Sequence, residues 1–169
     1  GQVITVRHAE ILNKDGSLNS TFLRTAKATA TYICKDGNQT YSPAFTYMGF
    51  RYASVKGVDE KDIKICAYAL YSSVAQNGSF TCSNELLNKL NQNIVWSAKS
   101  NFVDIPTDCP QRDERMGWTG DIAVFAQTAC YNFDTSRFFY KWLKDMRAEQ
   151  HGNDSLLLKL ALFQTLQQN

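Results

Sequence analysis

Apolar and polar positions change their period once along this chain, near residue 80. Before that point the pattern is that of strands. Val3, Ile4 and Val6 are β-branched and open the chain as an abrupt strand, and Asn13-Lys14-Asp15-Gly16 marks a turn. Ala26 to Ile33 (AKATATYI) alternates small or polar with apolar residues. Lys35-Asp36-Gly37-Asn38 is a second turn, with Asp36-Gly37 suited to a tight hairpin. Phe45 to Val55 (FTYMGFRYASV) is rich in aromatic and β-branched residues, and Ile63 to Tyr71 (IKICAYALY) alternates again after the turn at Lys56-Gly57. Short strands with turns between them predict an antiparallel β-sandwich, or part of one.

After residue 80 the period lengthens to that of helices. Ser83 is a candidate N-cap for a helix over 84–102, with Leu87, Leu90, Ile94 and Ala98 on its apolar face. Residues 121–131 (DIAVFAQTACY) predict a second helix, small and apolar enough to be largely buried. Asp134 or Thr135 caps a third, over 136–150, with Phe138, Phe139, Trp142 and Met146 inward and Lys141, Lys144, Asp145 and Arg147 outward. Strands followed by helices predict a strand domain over 1–78 and a helical domain over 79–169, with the boundary falling within 73–82. No internal repeat or low-complexity segment interrupts either part.

Composition narrows the function classes. Hydrophobic residues make up 44% of the 169 positions, enough for a core and far from a disordered chain. Eighteen basic and sixteen acidic side chains leave a net charge of +2 with no dense basic run, so nucleic-acid binding is not expected. No apolar run reaches the length of a membrane span, and no membrane partner is expected. GQVITVRHAEIL lacks the apolar core and cleavage site of a signal peptide, and reads as part of something longer. The five cysteines, Cys34, Cys66, Cys82, Cys109 and Cys130, form no CxxC or Cys/His cluster, so neither a disulfide framework nor a structural zinc site is expected. Each reads as a small buried apolar residue. Cys109 sits among charges, but His8 and His151 are distant in sequence, and a Cys/His nucleophile has little support.

The exception to all periodicity is the loop between the first two helices, residues 103–120. It runs into TDCPQRDERMGWTGD, Thr107 to Asp121, where Asp108, Asp113, Glu114 and Asp121 gather with Arg112, Arg115 and Trp118. A solvated loop with surface ion pairs is the plain alternative. Long ordered loops of this kind are more often functional, and Gly117 and Gly120 allow a shaped backbone around a tryptophan that is costly to expose. The spacing is not that of a calcium-binding EF-hand loop, and no metal or other cofactor is expected. Crowded carboxylates beside an aromatic ring suit glycoside hydrolysis. One carboxyl gives a proton to the leaving oxygen, another activates water or attacks, and an indole covers the C–H face of a sugar.

DCPQRDERMGWTGD, fourteen consecutive residues, closely resembles the signature of bacterial α-L-rhamnosidases of glycoside hydrolase family 78. Upstream, LRTAKATATYI and FTYMGFRYASV resemble that family's β-sandwich domain. FTCSNELLNKLNQNIVWSAKSNFVDIPTDCPQ is similar to the entry into its helical barrel, and AQTACYNFDTSRFFYKWLKDM to the helices that follow; the likeness covers residues 1–149. The resemblance implies an (α/α)6 catalytic barrel and inverting hydrolysis of rhamnose-containing glycosides. Glu114 falls on the general acid, and Asp108, Arg112, Trp118 and Asp121 on sugar-contacting positions. Asp113 falls between sugar contact and an arginine partner, and Arg115 on a structural ion pair. The general base falls on no residue of this chain. About three of twelve barrel helices are present, so the chain by itself is expected to have little or no activity, and its bare helix faces to self-associate. The compartment stays open between bacterial cytoplasm and periplasm. A non-catalytic carbohydrate-binding or structural role is the alternative. The tail HGNDSLLLKLALFQTLQQN departs from the family pattern. A frameshift, premature stop or cloning boundary near residue 150 is expected, with a variant helix as the alternative.

Overall fold

The computed structural model describes residues 1–150. The tail, 151–169, on which the expected departure from the family pattern falls, lies outside the described residues. Antiparallel strands precede three α-helices, the fold class expected from the change of period. The chain forms two compact units, Gly1–Ala69 with Cys109–Glu114, and Leu70–Asp108 with the residues from Arg115 onward.

The strand unit is built on β1 (Val3–Ala9), the central strand of a three-stranded antiparallel sheet. β2 (Ile11–Leu12) and β3 (Leu18–Asn19) form a small hairpin over the Asn13–Gly16 turn, where Asp15 accepts bonds from the backbone N–H and hydroxyl of Ser17 at 3.0 and 2.7 Å. β4 (Thr29–Ile33) and β5 (Tyr52–Lys56) flank β1, with Val3 opposite Ile33 on one side and Ala9 opposite Tyr52 on the other. Ala9 is wholly buried at this centre. His8 is structural: its Nδ1 lies 3.0 Å from the Ala28 carbonyl and its ring 4.8 Å from that of Phe50.

Several strand expectations need correction. β4 starts at Thr29 rather than Ala26, because Ala28 has a φ of +44°, outside the extended region. Asp36-Gly37 does turn the chain but joins no hairpin. Gln39 closes the turn on the Lys35 backbone, and β4 spends its ladder on β1 instead. The strand expected over Phe45 to Val55 shrinks to β5, since Phe45 has a φ of +57° and its ring is fully exposed. Ile63 to Tyr71 joins no ladder among the described residues, and Ile65, Tyr68 and Leu70 stay exposed. Alternation makes a chain able to pair; it does not supply the partner.

The helical unit carries α1 (Glu85–Asn101), α2 (Thr119–Asn132) and α3 (Ser136–Ala148). Between α1 and α2 the short strands β6 (Phe102–Val103) and β7 (Ile105–Pro106) pair across Asp104. Asn84, not Ser83, caps α1, its side chain accepting from the Leu86 N–H at 3.0 Å. Thr135 is the N-cap residue of α3 and makes no capping side-chain bond, while Asp134 before it accepts from the backbone N–H of Ser136 at 3.1 Å and from its hydroxyl at 2.5 Å.

Phe102 centres the core: its ring stacks on Phe138 at 4.5 Å and meets Phe139 edge-on at 6.1 Å. On α3, Phe138, Trp142 and Met146 recur at helical spacing and are buried as expected. The segment before α1 is sewn to this core through its backbone. Ser72 N–H donates to the Phe102 carbonyl at 2.6 Å, and Asp134 N–H to that of Ala75 at 2.8 Å. Two helix faces differ from expectation. On α1, Val95 and Ala98 are the buried residues while Leu87 and Leu90 are about half exposed. α2 is not largely buried: Val124 is 86% and Tyr131 70% exposed. The cysteines differ as well. Cys109 is buried, Cys34 and Cys82 are half-buried, and Cys66 and Cys130 are exposed, Cys66 because its segment joins no ladder.

Candidate active site

The signature loop is divided between the two units. Cys109–Glu114 belongs with the strands, whereas Asp108 and the residues from Arg115 onward belong with the helices.

In the strand unit, Glu114 is the focus of charge. Arg24 Nη1 and Arg112 Nη2 each lie 2.8 Å from the same carboxylate oxygen, Oε2. That oxygen is shielded from solvent and matched by charge rather than by well-aligned hydrogen bonds. Arg112 also donates from Nε to the buried Cys109 sulfur at 3.1 Å. Two fixed contacts orient its guanidinium, and the planar fork keeps that geometry. Cys109 is therefore an acceptor that orients Arg112. Asp113 is exposed, and its Oδ2 accepts a hydrogen bond from the Thr25 hydroxyl. This bond holds the Asp113 carboxyl below its ordinary value, with a smaller contribution from the Arg24 charge. Adjacent residues Arg24 and Thr25 thus grip adjacent residues Glu114 and Asp113. The loop also approaches closely at Gly49, where a Cβ would stand 2.6 Å from the Pro110 backbone, so only glycine fits.

In the helical unit, Asp108 and Asp121 line one cavity of about 590 Å3. Its walls include Ser97 and Asn101 from α1, Thr107, and Phe125 from α2. The volume is that of a site for a small ligand. Asp108 is braced by the Met116 N–H, 3.3 Å from its Oδ1. Asp121 sits exposed in the first turn of α2, where the helix dipole favours a carboxylate. Trp118 occupies the N-cap position of α2 and is half-buried. Its indole N–H is shielded from solvent without a hydrogen-bond partner among the described residues. Arg115 is half-buried with a φ of +29°, a backbone state that side-chain-bearing residues rarely adopt.

The structure thus brings Arg112 and Glu114 together, and Asp108 with Asp121. Arg24 and Thr25 were not legible as site residues. They lie in a segment readable only as the approach to a strand, 88 residues from the partner of Thr25, and no local pattern points to that pairing.

Comparison with known proteins gives consistent matches along the chain. Residues 75–160 match the family described as bacterial alpha-L-rhamnosidase 6 hairpin glycosidase domain, and residues 1–71 the bacterial alpha-L-rhamnosidase concanavalin-like domain. A Formosa agariphila protein named alpha-L-rhamnosidase is 43% identical over 161 residues, covering 92% of this chain and 17% of its own length. The solved alpha-L-rhamnosidase from Dictyoglumus thermophilum superposes with a TM-score of 0.86 at 46% identity, over 92% of this chain and 18% of that one. The Streptomyces avermitilis alpha-L-rhamnosidase, solved in complex with L-rhamnose, does so with a TM-score of 0.86 at 44% identity, over 90% and 15%. The chain spans less than a fifth of the length of these relatives.

Proposed function

Because the chain belongs to the bacterial α-L-rhamnosidase family, we propose that it carries the acid half of an inverting glycosidase that releases terminal α-L-rhamnose. In this reading Glu114 gives its proton to the glycosidic oxygen as the C1–O bond breaks, and the aglycone departs as an alcohol. A base outside this chain takes a proton from the water that attacks C1 on the opposite face. Asp108, Arg112, Trp118 and Asp121 contact the sugar. Asp113 and Arg115 hold the loop around the acid rather than reacting. The reading keeps a strand-rich domain followed by the opening of a barrel; the family matches change over between residues 71 and 75, ahead of the 78/79 boundary expected from the sequence.

One observation carries the acid assignment. Glu114 is the glutamate of the D-E-R stretch in the signature, and two guanidinium groups fix the position of its solvent-shielded Oε2. The cavity holding Asp108 and Asp121 supports a sugar site in the same stretch.

The test is hydrolysis of a chromogenic α-L-rhamnoside. This chain is run beside a form extended through a complete barrel, each as wild type and as Glu114→Gln. Only the extended wild type should cleave. Cleavage by the short wild type, lost in its Gln variant, would place a base within these 169 residues and end the half-site reading.

Self-association belongs to the same proposal. Leu86 and Val124 are at least 80% exposed, and Tyr131 and Tyr140 are about two-thirds exposed. Sedimentation should show mass rising with concentration. A monomer at every concentration would count against it.

A further inference from the structure

Arg24 lies outside the signature, yet its guanidinium is 2.8 Å from Glu114 Oε2. Its backbone is strained for that purpose or despite it: φ is +54° and ψ −118°, a region that side-chain-bearing residues rarely occupy. The strained position follows a 3-10 turn, Thr21–Leu23, whose Leu23 is buried and whose Leu23 carbonyl accepts from the Ala26 N–H at 3.0 Å. Arg24 is therefore presented from an anchored turn.

Glu114 by contrast sits on irregular backbone, with no helix or strand from residue 107 to 118. Its other cation, Arg112, is two residues earlier on the same loop and moves with it. Arg24 and Thr25 reach this dipeptide from elsewhere in the strand unit, one at Glu114 and one at Asp113. Two contacts from consecutive residues onto consecutive residues fix both the position and the rotation of that dipeptide. A single contact would leave it free to pivot.

We propose that Arg24 is a positioning residue for Glu114, setting the carboxyl where it meets the glycosidic oxygen, with Thr25 as the second point of the clasp. This inference rests on the assignment of Glu114 as the general acid. It predicts a defect confined to acid assistance. A positioned acid matters when the leaving group needs a proton and matters little when the leaving group departs readily as an anion.

The experiment uses the form extended through a complete barrel and two substrates, an alkyl α-L-rhamnoside and 2,4-dinitrophenyl α-L-rhamnoside. Arg24→Gln should lower kcat on the alkyl substrate about tenfold or more, within the range by which general acids act, and leave KM within about twofold. On the dinitrophenyl substrate kcat should change by less than about threefold, because no proton is needed for departure. Arg24→Lys should recover part of the alkyl activity, and Thr25→Val should show the same substrate pattern more weakly. Equal losses on both substrates would mean that Arg24 merely holds the fold together and would overturn the proposal, as would unchanged alkyl activity. If Arg24→Gln does not fold, Arg24→Lys and Thr25→Val decide by the same criterion. Glu114→Gln run in parallel separates the two ideas. If it keeps full alkyl activity, the acid assignment itself is wrong and the role of Arg24 falls with it.

Discussion

A Cβ added to Gly117 would stand 2.9 Å from the indole nitrogen of Trp142 and 3.4 Å from Cδ1 of Ile105. The signature loop therefore packs its glycine onto a core tryptophan that is only 3% exposed. Trp142 has no solvent side into which to retreat. Gly117→Ala should overpack this contact and destabilise the helical unit by about 1–3 kcal/mol. Urea unfolding followed by tryptophan fluorescence measures it. An unchanged midpoint would show that the indole yields freely.

The start of α1 makes a two-residue comparison. The Asn84 side chain accepts the Leu86 N–H at 3.0 Å, while no capping bond comes from Ser83. Asn84→Ala should cost about 1 kcal/mol, the usual loss on removing a capping side chain. Ser83→Ala should stay within about 0.5 kcal/mol. Thermal unfolding of the two variants by circular dichroism decides between them, and the reverse order would return the cap to Ser83.

Asp113 offers an acid-side test of the clasp that needs no catalysis. Its carboxyl lies below the ordinary value of 3.8, chiefly through the Thr25 hydroxyl. A group lowered on folding contributes stability above its unfolded pKa and loses it as pH falls through the folded one. The contribution should therefore fade below about pH 3.8. Thr25→Val should move the Asp113 carboxyl upward in a carbon-13 titration of this chain. A titration curve identical to wild type would mean that the hydroxyl does not bond Asp113 in solution.

The alkaline side rests on Lys141. Its Nζ lies 2.7 Å from Asp104 Oδ2 and 2.8 Å from Asp145 Oδ2, and these bonds, Asp104 first, raise its pKa above the ordinary 10.5. A raised group contributes fully below its unfolded pKa and loses that contribution as pH rises through the folded value. Lys141→Met should thus remove a fall in melting temperature that wild type shows above about pH 10.5. Asp104 is largely exposed and Lys141 and Asp145 are nearly half exposed, so the effect is small and should shrink further in high salt. Identical pH profiles for the two proteins would show that the pair is not formed in solution.

The strand half and the helical half were unequally legible. Phe138, Trp142 and Met146 announce their face because successive turns of one helix line them up whatever else the chain does. Ile63 to Tyr71 alternates as clearly as β1 yet joins no ladder among the described residues, because a strand needs a partner that its own residues do not specify. Leu87 and Leu90 show the same limit on a helix: spacing names an apolar face without naming what covers it. In the site, Asp108, Arg112, Glu114, Trp118 and Asp121 could be read from one continuous run. Arg24 and Thr25 could not, since nothing in LRT distinguishes a site residue from a surface one.

By itself, then, the sequence determined what local interactions control: the three helices, the turns at Asn13–Gly16 and Lys35–Asn38, and the family identity carried by fourteen adjacent residues. The tertiary structure decided what depends on residues distant in the chain. It paired β1 with β4 and β5, set Gly117 against Trp142, and closed Arg24 and Thr25 on Glu114 and Asp113. Backbone period and capping act over a few residues and leave their mark in neighbouring letters. An ion pair or a ladder is chosen by competition among all the surfaces that folding brings together, and that choice is made in space.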